Sequence, residues 1–284
     1  MKSTFRMKST LLLLFFALSL SIQAAPKLKP MLERVEPAFW WVGFKNHDLQ
    51  LLVHGDQISA TKPVITYEGV VIESVVTVEN PNYLFLNLKI GANALPGKFN
   101  IGFMLNGKVV QTYQYELKAR AAGSANRIGF NSSDVLYLIM PDRFANGDPS
   151  NDSKPEMADK LNRTEQYGRH GGDIKGMLDH LDYVADQGYT ALWLNPVLEN
   201  DMPQASYHGY ATTDFYRVDR RYGSNEDYRQ LAVAAEKKGI KMIMDMIFNH
   251  CGTGHWWMKD LPCRDWLNAD AKTITNHRHR NNLD

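Results

Sequence analysis

The chain has 284 residues, of which 44% are hydrophobic and 22% are charged. This composition is typical of a globular protein and the length suits about two domains, which excludes disordered and fibrous proteins. Lysine and arginine total 32 residues and aspartate and glutamate total 31. Such a balance argues against nucleic acid and anionic membranes as partners.

The N-terminus has the pattern of a secretory signal peptide. Three basic residues precede an apolar run from Leu11 to Leu20, and Ala24 follows as a small residue suited to cleavage. The run is too short to span a bilayer as a mature anchor. We therefore expect residues 1–24 to be a signal peptide and the mature protein to be secreted or periplasmic.

The next part of the chain alternates between apolar and polar residues, as a half-buried β-strand does. The segment from Leu84 to Ile90 shows this period of two clearly. Asn106-Gly107 favours a two-residue hairpin turn between two such segments. These patterns predict an immunoglobulin-like β-sandwich over residues 25–118, followed by a small, polar linker over residues 119–130.

After the linker the period changes to that of alternating strands and helices. Short apolar strands are predicted at Val135–Met140, Thr190–Leu194 and Ile240–Asp245. One helix is predicted to begin near Asp173 and to end at Gly188, and a second to be capped by Ser224 with Asp227 completing a capping box. The order β-α-β-α-β indicates either an open doubly wound sheet or a (β/α) barrel, and periodicity alone leaves both open.

The loop after the first of these strands is rich in side-chain oxygens. Asn146, Asp148, Asn151 and Asp152 lie within seven residues, here named the oxygen-rich loop (residues 146–152). Calcium takes about six to eight oxygen ligands, so this loop is a candidate cation site. Asx turns, in which the same side chains hold their own backbone, are the alternative, and the spacing favours them because the EF-hand pattern is not met.

Polar and aromatic residues follow the other two strands. Asp245, Asn249 and His250 lie at the end of the third strand, and His208 and Tyr210 lie in an aromatic loop (residues 206–216) after the second. Ligands of parallel α/β folds bind at the C-terminal ends of the strands. Aromatic rings and hydrogen-bonding groups suit a sugar, although the same rings also suit an inward-packed loop.

The pattern Asp-x-x-x-Asn-His from Asp245 to His250 resembles the first signature region of the α-amylase family of glycoside hydrolases. The sandwich, the oxygen-rich loop, the aromatic loop and this region, in that order, are similar to the cyclomaltodextrinase and neopullulanase branch of the family. The resemblance implies that residues 131–284 form about three βα units of a (β/α)8 TIM barrel, with an insertion after the third strand from about residue 251.

The resemblance also implies roles for individual residues. Tyr210 corresponds to the ring under the sugar at the cleavage point and His208 to a neighbouring ligand of a hydroxyl group. Asn249 and His250 are implied to bind substrate, the histidine through the primary hydroxyl of that sugar. Asp245 is implied to support the site from beneath, and it is not the nucleophile.

Calcium binding is implied for the oxygen-rich loop, where Gly171 and Asp173 would complete the set formed by Asn146, Asp148, Asn151 and Asp152. The related enzymes also use the N-terminal domain to contact a partner subunit, so the resemblance implies a homodimer through this domain.

The implied activity is the retaining hydrolysis of α-1,4-glucans, namely cyclomaltodextrins, pullulan and starch oligosaccharides. A retaining glycosidase needs two carboxylates about 5–5.5 Å apart, and by the resemblance both belong to strands beyond residue 284. We therefore expect no catalytic carboxylate in this chain, which would be the N-terminal portion of a longer enzyme and inactive alone. The alternative hypothesis is a non-catalytic α-glucan-binding protein that keeps the sandwich and the sugar-contact loops.

Two features of the insertion stay open in the sequence. Cys251 and Cys263 are compatible with a disulfide or with two free thiols. Trp256 and Trp257 are compatible with a stacking platform or with a small local core.

Overall fold

The structure is a computed structural model, in which residues 30–267 are described. The predicted signal peptide and the last part of the predicted insertion lie outside these residues. Within the described part of the chain, no helix combines the length and the apolar character needed to cross a membrane.

The N-terminal part of the chain forms two packed four-stranded sheets. Their strands, in chain order, are β1 (Arg34–Glu36), β2 (Phe39–Trp41), β3 (Asp48–His54), β4 (Lys62–Ile65), β5 (Val70–Thr77), β6 (Tyr83–Ile90), β7 (Gly97–Leu105) and β8 (Lys108–Lys118). One sheet has the order β1-β3-β6-β5 and the other β2-β8-β7-β4. Neighbouring strands of these two sheets are antiparallel except β2 and β8, which are parallel.

The core of this sandwich follows the alternation seen in the sequence. Leu84, Leu86 and Leu88 of β6 have exposures of 0%, 0% and 1%, which confirms the predicted inward face. The turn between β7 and β8 has positive φ at Asn106 (50°) and Gly107 (77°), as a two-residue hairpin turn requires. The predicted sandwich is therefore confirmed.

The second part of the chain is built from parallel strands and helices. Its elements are β9 (Leu136–Ile139), α1 (Pro141–Phe144), α2 (Ile174–Asp179), α3 (Leu181–Asp186), β10 (Ala191–Leu194), β11 (Leu198–Glu199), β12 (Asp214–Val218), α4 (Asn225–Lys237) and β13 (Lys241–Met244). Strands β9, β10 and β13 form a parallel sheet with β10 in the centre. A sandwich followed by parallel βα units confirms the predicted fold class.

The helix capped by Ser224 has the predicted geometry. The Ser224 side chain accepts a hydrogen bond from the backbone N–H of Asp227, and the Asp227 carboxylate accepts one from the Ser224 N–H at 2.8 Å. Helix α4 begins at Asn225, directly after Ser224, and the capping box satisfies two backbone donors that a helix start leaves unpaired.

Two predictions of secondary structure were wrong in detail. The single helix predicted from near Asp173 to Gly188 is divided into α2 and α3 at His180, whose φ of −114° and ψ of 16° are not helical. The ring Nδ1 of His180 lies 2.7 Å from the carbonyl of Gly176, which holds the chain at this break. The aromatic loop ends in a strand, because β12 pairs antiparallel with β11.

Cys251 and Cys263 are free thiols in the structure. Of the two alternatives that the sequence allows, the structure therefore has the unpaired one.

Candidate functional site

The parallel register brings the ends of three strands to one edge of the sheet. Leu194 of β10 pairs with Ile139 of β9 on one side and with Met244 of β13 on the other. Asp245 follows β13 directly and therefore lies at this edge, beside the end of β10. Loops that leave the same edge are the ones that form ligand sites in parallel α/β folds.

Asp245 is half-buried and accepts two hydrogen bonds at this edge. Its Oδ2 lies 3.3 Å from the hydroxyl of Tyr210 and 3.2 Å from the indole Nε1 of Trp193. Both groups are donors, so the carboxylate joins the aromatic loop to strand β10. Sequence reasoning missed Trp193, although it lies between the buried Leu192 and Leu194 and must face the opposite side of the sheet.

A glycine sets the path of the aromatic loop beside β10. Gly209 has a φ of +82°, and a Cβ atom there would lie 2.1 Å from the carbonyl oxygen of Pro196. A larger residue would therefore be both strained and blocked at this position. The close approach places His208 and Tyr210 on either side of the turn, next to the chain that leaves β10.

His208 has one ring nitrogen committed to the loop and one available to a ligand. Its Nδ1 accepts a hydrogen bond from the backbone N–H of Tyr210 at 2.9 Å, so Nε2 carries the proton of the neutral ring. Burial lowers the pKa of His208, which favours that neutral form. Within residues 30–267 no acceptor is in hydrogen-bond range of this Nε2–H.

His250 connects the end of β13 to the aromatic loop. Its Nε2 lies 2.9 Å from the backbone carbonyl of Tyr210, and its Nδ1 lies 3.3 Å from Nδ2 of Asn249. These contacts are consistent with an Nε2–H that donates to the carbonyl and an Nδ1 that accepts from the amide. The residues predicted to bind substrate (His208, Tyr210, Asn249 and His250) and the supporting Asp245 thus form one cluster.

The exposed part of this cluster is an aromatic ring. Tyr210 has an exposure of 40%, and its ring centroid lies 5.7 Å from that of His208. Partial burial, followed by the negative charge of Asp245, raises the pKa of Tyr210. The hydroxyl therefore remains a donor to Asp245 while part of the side chain is open to solvent.

The second predicted site, in the oxygen-rich loop, is organised around Asp173. This residue is fully buried and caps α2, since its Oδ1 accepts from the N–H groups of Gly176 at 2.6 Å and Gly147 at 3.0 Å. Its Oδ2 accepts from the N–H of Asp148 at 2.8 Å and from Nδ2 of Asn151 at 3.2 Å. Both carboxylate oxygens of Asp173 therefore bind groups of the oxygen-rich loop and fix its conformation.

Two amide oxygens of the oxygen-rich loop are buried without a donor. Within the described residues, Oδ1 of Asn146 and Oδ1 of Asn151 have no hydrogen-bond partner. The carboxylate of Asp152 lies beside them, with Oδ1 2.6 Å from Nδ2 of Asn146, and burial raises the pKa of Asp152. Gly171 has a φ of +85°, and a Cβ atom there would lie 2.4 Å from that Oδ1.

Unpaired, buried amide oxygens next to a carboxylate are ligands that a hard cation prefers, so part of the predicted calcium set fits. Asp148 fits less well, because its Oδ1 accepts from the N–H of Ser150 at 3.0 Å and from its hydroxyl at 2.6 Å. Groups of three or more His, Cys, Asp or Glu placed for a metal are not found within residues 30–267. A cation here would depend mainly on amide and backbone oxygens.

Comparison with known proteins adds to this geometry. Residues 138–282, about half of the chain, match the alpha amylase catalytic domain, and residues 34–121 match the cyclomaltodextrinase N-terminal domain. The chain belongs to the alpha-amylase family. The predicted family is therefore confirmed, and the catalytic-domain match includes both the strand-end cluster and the oxygen-rich loop.

Individual members of the family are similar over part of their length. Neopullulanase 2 of Thermoactinomyces vulgaris is 39% identical over 128 residues, which are 45% of this chain and 21% of that protein. A cyclomaltodextrinase of Geobacillus thermopakistaniensis is 37% identical over 121 residues, 42% of this chain and 19% of that protein. The chain thus spans about a fifth of the length of these two relatives.

A solved structure, that of an Anoxybacillus alpha-amylase, is 39% identical, with a TM-score of 0.43 over 47% of this chain and 28% of that one.

A further polar residue at the strand ends was missed in the sequence. Asp142 is buried (1% exposed) three residues after Ile139, the last paired residue of β9, and it accepts from the N–H groups of His170 at 2.8 Å and Gly171 at 3.2 Å. The side chain of Arg143 also donates to it. An acid close to the end of the predicted strand was the available signal, and Asp142 connects β9 to the segment that carries Gly171.

The two tryptophans of the insertion belong to a local core. Trp257 packs 4.4 Å from the ring of His255 and 5.0 Å from Trp266, and Trp256 lies 4.8 Å from His54 of the sandwich. Of the two alternatives in the sequence, the structure therefore has the local core.

Proposed function

We propose that this chain contributes to the retaining hydrolysis of α-1,4-glucans such as cyclomaltodextrins, pullulan and starch oligosaccharides. The observation that carries the proposal is the cluster of Tyr210, Asp245 and His250 at the C-terminal ends of the parallel strands. Membership of the alpha-amylase family and the names of the two relatives support this class of substrate.

In this proposal each residue of the cluster has a distinct task. The exposed face of Tyr210 stacks against the apolar face of a glucose ring, and the Nε2–H of His208 donates to one of its hydroxyl groups. Asn249 and His250 complete the polar wall, and His250 also holds the carbonyl of Tyr210 in place. Asp245 keeps the hydroxyl of Tyr210 oriented and does not attack the sugar.

The chemical step in a retaining enzyme needs a nucleophilic carboxylate and a second carboxylic acid that protonates the leaving oxygen. We assign both to barrel strands further along the family fold, of which the described residues supply β9, β10 and β13. The role of this part of the barrel is to bind and orient the sugar beside those groups.

Calcium is part of the proposal as a structural ion. The oxygens of Asn146, Asn151 and Asp152, with the backbone of Gly171, would hold it, joining the oxygen-rich loop to the segment before α2. The proposal also includes export of the protein, directed by the predicted signal peptide. It includes a homodimer whose subunits contact each other through the sandwich.

Binding of maltoheptaose and β-cyclodextrin to the chain, measured by calorimetry, tests the proposal. Tyr210→Ala should weaken binding, whereas Tyr183→Ala should not, because Tyr183 is an exposed tyrosine on α3 outside the cluster. Equal binding by both variants would place the glucan site elsewhere. Turnover of pullulan by a polypeptide that completes the barrel separates the hydrolase from the alternative of a non-catalytic binder.

A further inference from the structure

The chain that follows β13 docks onto the sandwich through its aromatic rings. In this docking segment (residues 252–266), Trp256 stacks against Tyr83 of β6 with centroids 6.0 Å apart and planes 9° apart. The guanidinium of Arg34, on β1, lies 4.8 Å from the centroid of the Trp256 ring. Trp266 lies 6.2 Å from Phe85, further along β6. The two domains therefore meet along β1 and β6.

Asp260, in the docking segment, accepts hydrogen bonds from several parts of the sandwich. The Oδ2 of Asp260 lies 2.9 Å from Nδ2 of Asn82 and 2.9 Å from Nε2 of His54, and its Oδ1 accepts from Nδ2 of Asn80. The hydroxyl of Tyr83 donates to the backbone carbonyl of Asp260. Burial alone would raise the pKa of Asp260, but the hydrogen bonds from Asn82, His54 and Asn80 outweigh it and lower the pKa.

The backbone reinforces this contact. The N–H of Asn80 donates to the carbonyl of Pro262 at 3.0 Å, and Nδ2 of Asn80 donates to the carbonyl of Leu261 at 2.8 Å. Charge-assisted hydrogen bonds from several donors fix both the position and the orientation of a carboxylate. Asp260 is therefore held by the sandwich at a defined place.

The other end of the docking segment touches the strand-end cluster. The N–H of Gly252 donates to the carbonyl of Thr212 at 2.8 Å, and the N–H of His255 donates to the carbonyl of Gly252 at 2.9 Å. Thr212 lies two residues after Tyr210, and Gly252 lies two residues after His250. A Cβ atom at Gly252 would lie 2.5 Å from the carbonyl oxygen of Ala211, which shows how closely the two segments approach.

We propose that Asp260 is a positioning residue for the glucan site, through which the sandwich fixes the aromatic loop. The inference rests on the proposed function, because it gives the cluster of Tyr210 and His250 a ligand. Asp260 touches no sugar in this scheme. It anchors the docking segment, and the docking segment in turn holds the backbone of the aromatic loop at Thr212.

Loss of the anchor should loosen the loop while every sugar-contact side chain stays present. In Asp260→Asn an N–H₂ group replaces one carboxylate oxygen and faces donors of the sandwich, so hydrogen bonds are lost without a change in size. We expect exchange of the Gly252 amide to become roughly tenfold faster, because its hydrogen bond opens locally. We expect the affinity for maltoheptaose to fall roughly three- to thirty-fold.

A matched control and a rescue variant isolate the role of the anchor. Asp265→Asn removes an exposed acid of the same segment and should leave exchange at Gly252 and glucan affinity unchanged. In the double variant Asn82→Asp with Asp260→Asn, the amide at position 260 can donate to the new carboxylate at position 82. This exchange of donor and acceptor should restore part of the slow exchange at Gly252 and part of the glucan affinity. If Asp260→Asn does not fold, Asn82→Ala, which removes one of the donors to Asp260, takes its place.

Hydrogen exchange and calorimetry together decide between the outcomes. Faster exchange at Gly252 with weaker binding in Asp260→Asn, and neither in Asp265→Asn, supports the inference. Exchange at Gly252 and affinity both equal to wild type in Asp260→Asn would overturn it. Failure of the wild-type chain to bind any glucan would overturn the proposed function instead, and exchange at Gly252, measured without ligand, would still test the anchor.

Discussion

The hydroxyl of Tyr210 lies 3.3 Å from the carboxylate of Asp245, although 35 residues separate them in the chain. The contact exists because β10 and β13 are parallel neighbours, so the loop that leaves one strand meets the residue that ends the other. Trp193 donates to the same carboxylate oxygen at 3.2 Å. Asp245 thus accepts hydrogen bonds from two exposed aromatic side chains, Tyr210 of the cluster and Trp193 of β10.

Two substitutions at Tyr210 separate its ring from its hydroxyl. Tyr210→Phe keeps the stacking face and removes the hydrogen bond to Asp245, so maltoheptaose affinity should fall by only about two- to fivefold. Tyr210→Ala removes the face as well, and affinity should fall roughly tenfold or more. Isothermal calorimetry measures both, and an equal loss in the two variants would mean that the ring does not stack on the sugar.

His250→Ala should act on the site through Tyr210 as well as directly. The substitution removes the ring that lies 2.9 Å from the Tyr210 carbonyl and a polar group of the cluster. In a polypeptide that completes the barrel, we expect normal folding and a rate lower by roughly ten- to a thousand-fold, about 1.4 to 4 kcal/mol of transition-state stabilisation. Wild-type turnover of pullulan by this variant would place the site elsewhere.

The sequence predicted those features that depend on local pattern. The alternation around Leu86 and the capping box at Ser224 are set by neighbours within a few residues, and both are present in the structure. The break at His180 and the role of Trp193 depend on contacts made after the chain folds, and periodicity carries no signal for them. Asp260 meets His54 across 206 residues, a contact that only the assembled domains create.

Calcium should stabilise the chain if the oxygen-rich loop holds it. A cation that binds only the folded state at a hundredfold excess over its Kd adds about 2.7 kcal/mol to the free energy of unfolding. Chelator should therefore lower the Tm, and Asp152→Asn, which removes a charge beside the unpaired amide oxygens, should abolish that response. Asp179→Asn serves as the control, because its exposed carboxylate pairs with Lys175 on α2. A Tm of the wild-type chain unchanged by chelator would contradict the calcium site.

Ser224→Ala should destabilise the parallel part of the chain without affecting the site. Loss of the capping side chain leaves a backbone donor of α4 unpaired, and the free energy of unfolding should fall by about 1 kcal/mol. Ser224→Thr keeps a hydroxyl at the cap and should retain most of the stability. Urea denaturation measures both variants, and equal midpoints for Ala and Thr would show that the cap does not contribute.

His255 should make the stability of the folded chain depend on pH. It is buried (1% exposed) in the docking segment, and burial lowers its pKa from 6.5 to about 4; the charge of Asp214 raises the pKa and that of Arg34 lowers it, each by less than burial does. At a pH between 4 and 6.5 the imidazole is protonated in the unfolded chain but not in the folded chain. The contribution of neutral His255 to the free energy of unfolding is therefore fully present above pH 6.5 and is lost as the pH falls toward 4.

The expected loss is about 2 kcal/mol of unfolding free energy between pH 7 and pH 5, from about 1.4 kcal/mol for each pKa unit. His255→Asn keeps a side-chain acceptor for the N–H of Trp257, which His255 Nδ1 accepts at 3.1 Å, but has no group that titrates in this range. The difference in stability between wild type and variant should therefore shrink as pH falls. Groups elsewhere titrate equally in both proteins and cancel in this difference. Urea denaturation of both proteins at pH 7 and pH 5 measures it, and an equal difference at the two pH values would refute a neutral, buried His255.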